Sequence, residues 1–133
     1  MPARQLFSRD TARFLAQALG WARCAVGVVA LVAPEPLSRP WVGPDIEGGT
    51  RKVLARALGG RDLALGLGVV MAARRNAPVR GWVEAGALSD SVDTLATVIG
   101  FGRLPRWGRW GVLLSAGGAA VSAALLAPSL GEA

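Results

Sequence analysis

Two stretches of the chain are apolar enough, and long enough, to be read without help from their neighbours. From Trp110 to Ala127 no residue is charged, with Arg109 before the run and Pro128 after it. A run of roughly 18 such residues crosses the hydrocarbon core of a bilayer as a helix. From Ala16 to Ala33 the apolar pattern is broken only by Gln17 and Arg23, and it stops at Pro34. A cleaved signal peptide is the competing reading of that first run. Arg23 within it and Pro34 directly after it favour a retained helix instead. Two further helices are expected at about 53–73 and 81–101, and hydropathy alone does not give them. Arg56, Arg61 and Asp62 fall in the first half of one, and Glu84, Asp90 and Asp93 lie in the other. They follow from spacing: short arginine-bearing turns at 74–80 and 103–109 set them off at helical-hairpin intervals. Trp82, Trp107 and Trp110 also fall at span ends, where aromatic belts form. Pro34, Pro36, Pro40 and Pro44, with Gly43, Gly48 and Gly49, crowd the segment 34–50. That density excludes a long helix and predicts an extended loop on one membrane face, with Trp41 as an interfacial anchor.

The pattern predicts an all-α fold: a four-helix transmembrane bundle with helices at about 16–33, 53–73, 81–101 and 110–127. It occupies residues 1–133 as a single membrane domain, multi-pass in the cell membrane. Composition agrees. Apolar residues make up 52% of the 133, mean hydropathy is +0.39, and there are 18 glycines. Glycine suits close-packed membrane helices, whereas each interior glycine costs a soluble helix about 1 kcal/mol. A water-soluble bundle would also need outer faces of Glu and Lys, and Lys52 is the only lysine.

A net charge of +6 would suit nucleic acid, but its placement points elsewhere. Arg4, Arg9 and Arg13, then Arg74, Arg75 and Arg80, then Arg103, Arg106 and Arg109 lie in short segments flanking apolar runs. Cations so placed meet lipid head groups and set topology, so the expected partner is the bilayer, not nucleic acid. With four spans the two faces carry equal numbers of cations. The basic segment before the first helix tips the amino-terminal side toward the cytoplasm.

Histidine and tyrosine are absent and Cys24 is the single cysteine. That removes Ser-His-Asp and Cys-His nucleophiles, His-ligated haem, the usual zinc sets and any intramolecular disulfide. Cys24 itself reads as a small buried residue. No cofactor motif is present, and no residue is assigned a catalytic role.

Chemistry is left to the charged residues inside the spans. Small and polar residues recur every three or four positions on each helix: Ala16, Gly20, Arg23, Gly27 and Ala30 on the first. The second has Gly59, Asp62, Gly66 and Ala73; the third has Gly86, Asp90, Asp93, Thr97 and Gly100; the fourth has Gly111, Ser115, Gly118 and Ser122. Such stripes let membrane helices approach closely, so each should face another helix. Span midpoints near Cys24, Leu63 and Ser91 put Arg23, Asp62 and Asp90 at the bilayer midplane. One ion at that depth costs roughly 2.5–3.5 kcal/mol by insertion scales, so several facing lipid would cancel much of the apolar gain. They are expected to meet inside the bundle, Arg23 with Asp62 and Asp90, and Arg61 with Asp93.

Such a network is either interhelical glue that fixes register or a polar site for a proton, an ion or a head group. Asp90 and Asp93 with Asp62, and with Glu84 further off, could offer oxygen ligands to magnesium or calcium. The nearby arginines compete for the same carboxylates and count against a metal. The segment Gly59-Gly60-Arg61-Asp62-Leu63-Ala64-Leu65-Gly66 resembles a family of small, four-helix bacterial integral membrane proteins with a Gly-x-Arg-Asp core. Ser89-Asp90-Ser91-Val92-Asp93 is similar to that family's second acidic motif. The family has no assigned activity, so the resemblance implies architecture and leaves the chemistry open. The expectation is a non-catalytic accessory subunit or partner-binding bundle, with a protein partner or a second copy. The alternative is an intramembrane enzyme or a proton- or ion-handling protein using Asp62, Asp90 and Asp93.

Overall fold

A computed structural model describes residues 6–43 and 48–131, and all regular structure among them is helical. α1 runs Arg9–Val32, α2 Glu35–Val42, α3 Gly48–Arg74, α4 Arg80–Ile99 and α5 Arg106–Leu126; short 3₁₀ turns follow α4 and α5. α1 starts well before the apolar run because Ser8 caps it. The Ser8 hydroxyl accepts from the Thr11 N–H at 3.2 Å, and Asp10 lies in the positive first turn. α3 likewise begins ahead of its apolar half. It ends where Asn76 takes φ +53°, with the Ala77 N–H reaching the Ala72 carbonyl and Asn76 that of Ala73. This is a Schellman stop, and Pro78 prevents the helix from resuming.

The segment expected to be an extended loop is instead partly helical. α2 holds eight residues, with Pro36 in its first turn, where the missing N–H has no intrahelical partner to lose. Pro40 forfeits one internal bond, and Gly43 at φ +83° ends the helix. The prolines limit the helix to two turns and do not abolish it. Residues 44–47, which include Pro44, lie outside the described residues.

Two antiparallel helix pairs result. α1 packs along α3, α4 packs along α5, and α2 lies across one end against α3 and α5. The α1–α3 contact is glycine against glycine. A Cβ on Gly66 would stand 2.5 Å from the Gly20 carbonyl oxygen, and one on Gly27 would stand 2.6 Å from that of Gly59. The backbones touch with no side chain between them. At the end opposite α2, Ala12, Ala16, Val69, Val83, Ala123 and Leu126 form the apolar core that holds the two pairs together.

Arg9–Val32 and Arg106–Ser129 are long and apolar enough to cross a membrane. α3 and α4 do not reach that hydropathy, because the ions they carry lower it. Length is not the obstacle, since α4 with 20 residues rises about 30 Å.

Candidate functional site: a buried arginine and aspartate network

Halfway along the bundle, α1, α3 and α4 present charges to one another. Arg23 of α1 donates from Nη1 to Asp62 Oδ1 of α3 at 3.0 Å, and from Nη2 to Asp90 Oδ2 of α4. The same Nη2 reaches the Gly86 carbonyl oxygen at 3.2 Å. Gly86 permits this approach, because a Cβ there would sit 3.1–3.3 Å from the guanidinium. Arg61 of α3 forms a two-pronged pair with Asp93 of α4, Nη1 to Oδ1 at 3.0 Å and Nη2 to Oδ2 at 2.7 Å. Its Nη2 also lies 3.5 Å from Asp62 Oδ1. Asp62 thus joins the two arginines, and all five residues form one connected cluster.

The cluster bridges the two helix pairs. Parallel fork-to-fork bonds such as Arg61–Asp93 fix angle as well as distance, so they set the register of α4 against α3. Thr94 and Thr97 return their hydroxyls to the Asp90 and Asp93 carbonyls one turn back, at 2.7 and 2.8 Å. Their polarity is therefore met within α4 and adds nothing to the carboxylates. Arg61 Nε and Ser89 Oγ are buried without a hydrogen-bond partner among the described residues. Glu84 belongs elsewhere: it pairs with Arg80 at the start of α4. Among the described residues no group of three potential ligands could hold a metal ion.

The stripes fare unequally. On α1 the buried residues are Ala12, Ala16, Gly20, Cys24, Gly27 and Ala30, so the expected face is the contact face and Arg23 lies at its edge. On α5 the expected stripe is not packed against a helix, which corrects the sequence reading. Gly111, Ser115 and Ser122 are exposed, and a Cβ on Gly111 or Gly118 would meet nothing within 4 Å. α5 has Ala or Gly on every side, so spacing alone did not select a face; Gly108, Ala123 and Leu126 are the residues it buries.

Beside the network lies a cleft of about 340 Å³ between α1 and α5. Asp62, Asp90 and Asp93 line it together with Arg23, whereas Arg61 does not. Its walls are apolar, with Leu19, Val26, Val112, Ala116 and Ala119 among them, and it extends to Trp41 and Trp82. Sequence reading missed the cleft and the Gly86 carbonyl. The Asp-x-x-x-Thr spacing at 90/94 and 93/97 was the available signal for the hydroxyls' inward-turned bonds. No protein-family profile, curated protein or solved structure matches this chain.

Proposed function

We propose that the chain is a multi-pass membrane protein, a four-span bundle that works without catalysis as an accessory or partner-binding subunit. One observation carries the membrane reading: the polarity is inside out. Val32, Ile99 and Leu114 are 77%, 79% and 74% exposed, and Phe14, Leu88 and Leu95 also point outward. Meanwhile Asp90 is 5% exposed and the other network ions are at most partly so. Water would reward the opposite arrangement. In a bilayer the outer side chains meet lipid, and the ions of α3 and α4 meet one another, so the charges that depress hydropathy do not face the acyl chains. That supports α3 and α4 as spans alongside α1 and α5, and it fits the resemblance carried by the Gly-x-Arg-Asp segment.

The non-catalytic reading rests on how the carboxylates are engaged. Asp62, Asp90 and Asp93 each accept from a guanidinium, the arrangement of a register-setting tie more than of a general acid or base awaiting a proton. Extraction of membranes with alkaline carbonate tests the first part: the chain should stay in the pellet, and release into the supernatant overturns the membrane reading. Native mass spectrometry from mild detergent tests the second. A protein partner or second copy should be retained, and a chain that always runs alone counts against an accessory role.

A further inference from the structure

We propose that the cleft between α1 and α5 binds a lipophilic monocation, an alkylammonium whose charge completes the network and whose chain lies along the apolar walls. The inference rests on the membrane reading above and names the ligand class of that same site.

Fully ionised, the cluster sets three carboxylates against two guanidiniums, leaving one negative charge in excess. Most of the other cations on these helices are engaged elsewhere: Arg13 with the Ala73 carbonyl, Arg51 with that of Gly43, Arg56 with that of Leu31, Lys52 with Glu35, Arg74 over the Trp21 ring and Arg80 with Glu84. Within the cleft the imbalance is sharper. All three carboxylates line it but only Arg23 does, because Arg61 lies outside the lining. Asp62 and Asp93 keep 18% and 17% of their side chains exposed, which leaves surface on both for a ligand. A net charge in a water-poor interior is costly unless met by its opposite, so the cleft favours a positive guest.

Shape selects the rest of the molecule. The lining of α1 runs from Ala16 to Val26, a rise of about 15 Å, and α5 faces it from Val112 to Ala123. An apolar trough of that length, with its acid gathered toward the Val26 end, suits a single alkyl chain carrying one ammonium. Sites of this kind are mostly apolar, with a few placed polar groups that fix orientation.

The full chain in lipid nanodiscs, with insertion measured on the same sample, provides the test. The probe is dodecyltrimethylammonium, whose charge does not depend on pH, against its uncharged isostere with a tert-butyl head. Saturable binding above empty nanodiscs is expected for the cation, at least tenfold tighter than for the isostere. Asp62→Asn should remove that preference. Ser115→Lys, which places a tethered ammonium at the cleft wall, should suppress binding of the probe even if Asp62→Asn fails to fold. Equal binding of cation and isostere overturns the inference, as does a folded Asp62→Asn that keeps the preference or a Ser115→Lys that binds as before. A chain that inserts but binds no cation also overturns it and leaves the membrane reading standing. A chain that does not insert overturns both.

Discussion

Replacing Gly66 by alanine probes the tightest of the glycine contacts between α1 and α3. The new Cβ would stand 2.5 Å from the Gly20 carbonyl oxygen, 2.8 Å from Cys24 Sγ and 2.9 Å from the Cys24 nitrogen. Ordinary contact is about 3.5–4.0 Å, so α1 and α3 must separate by roughly 1 Å locally. Two of the three atoms are backbone and cannot turn aside. Overpacking of this kind costs about 1–3 kcal/mol, against which alanine's helix propensity returns up to about 1 kcal/mol, so a net loss of about 1–2 kcal/mol is expected. Gly60 on the same helix is the control, because a Cβ there would meet nothing within 4 Å. Gly60→Ala should be neutral or slightly stabilising. The assay is built in: Cys24 is the only cysteine, 7% exposed, and lies against Gly66. Maleimide labelling of Cys24 in bicelles should be slow in the parent and in Gly60→Ala, and about tenfold faster in Gly66→Ala, as about 1.4 kcal/mol of easier opening implies. If Gly66→Ala labels no faster, or Gly60→Ala labels equally fast, the backbone-contact account of α1–α3 is wrong.

Three further outcomes follow from named contacts. Asp90→Asn strips Arg23 of one charged partner and should lower stability in a bicelle unfolding assay by about 3 kcal/mol, whereas adding Arg23→Met and Asp62→Asn should recover much of the loss. Arg61→Lys keeps the charge but not the fork to Asp93, so it should destabilise measurably by the same assay; parity with the parent would mean that the paired geometry contributes nothing. Lys52 of α3 lies 3.2 Å from Glu35 of α2 and holds that carboxyl below its ordinary range, chiefly through the hydrogen bond between them. A depressed acid stabilises the fold above its unfolded pKa and loses that contribution as pH falls through its folded one. The Glu35 carboxyl resonance should therefore titrate below an ordinary glutamate, and Lys52→Met should move it back up.

The apolar runs on α1 and α5 were legible because hydropathy is a property of composition, summed locally and indifferent to what packs alongside. The glycine face of α1 was legible too, since only one side of that helix carries small residues at every turn. α5 shows the limit of the same rule. Where small residues surround the helix, the contact face is set by its neighbour, and Ala123 with Leu126 is buried while Gly111 and Gly118 meet nothing. Proline density in 34–50 bounded α2 to eight residues but could not forbid it, because a first-turn proline gives up no hydrogen bond. The start of α1 was missed for the opposite reason: a capped polar turn precedes the apolar run, and hydropathy is blind to it.

By itself, then, the sequence determined that this chain is helical and that charges sit at the depth of Arg23, Asp62 and Asp90. Depth follows from counting residues along each helix, a one-dimensional quantity. Tertiary structure decided what those charges do. It put Asp62 between two guanidiniums, opened the Gly86 carbonyl to Arg23 and left Arg61 off the cleft that the three carboxylates line. Those are relations between helices, fixed by how α1 and α3 close on their glycines and how α5 stands away from α1. No local pattern encodes the gap between two helices; it exists only once both have packed against their other neighbours.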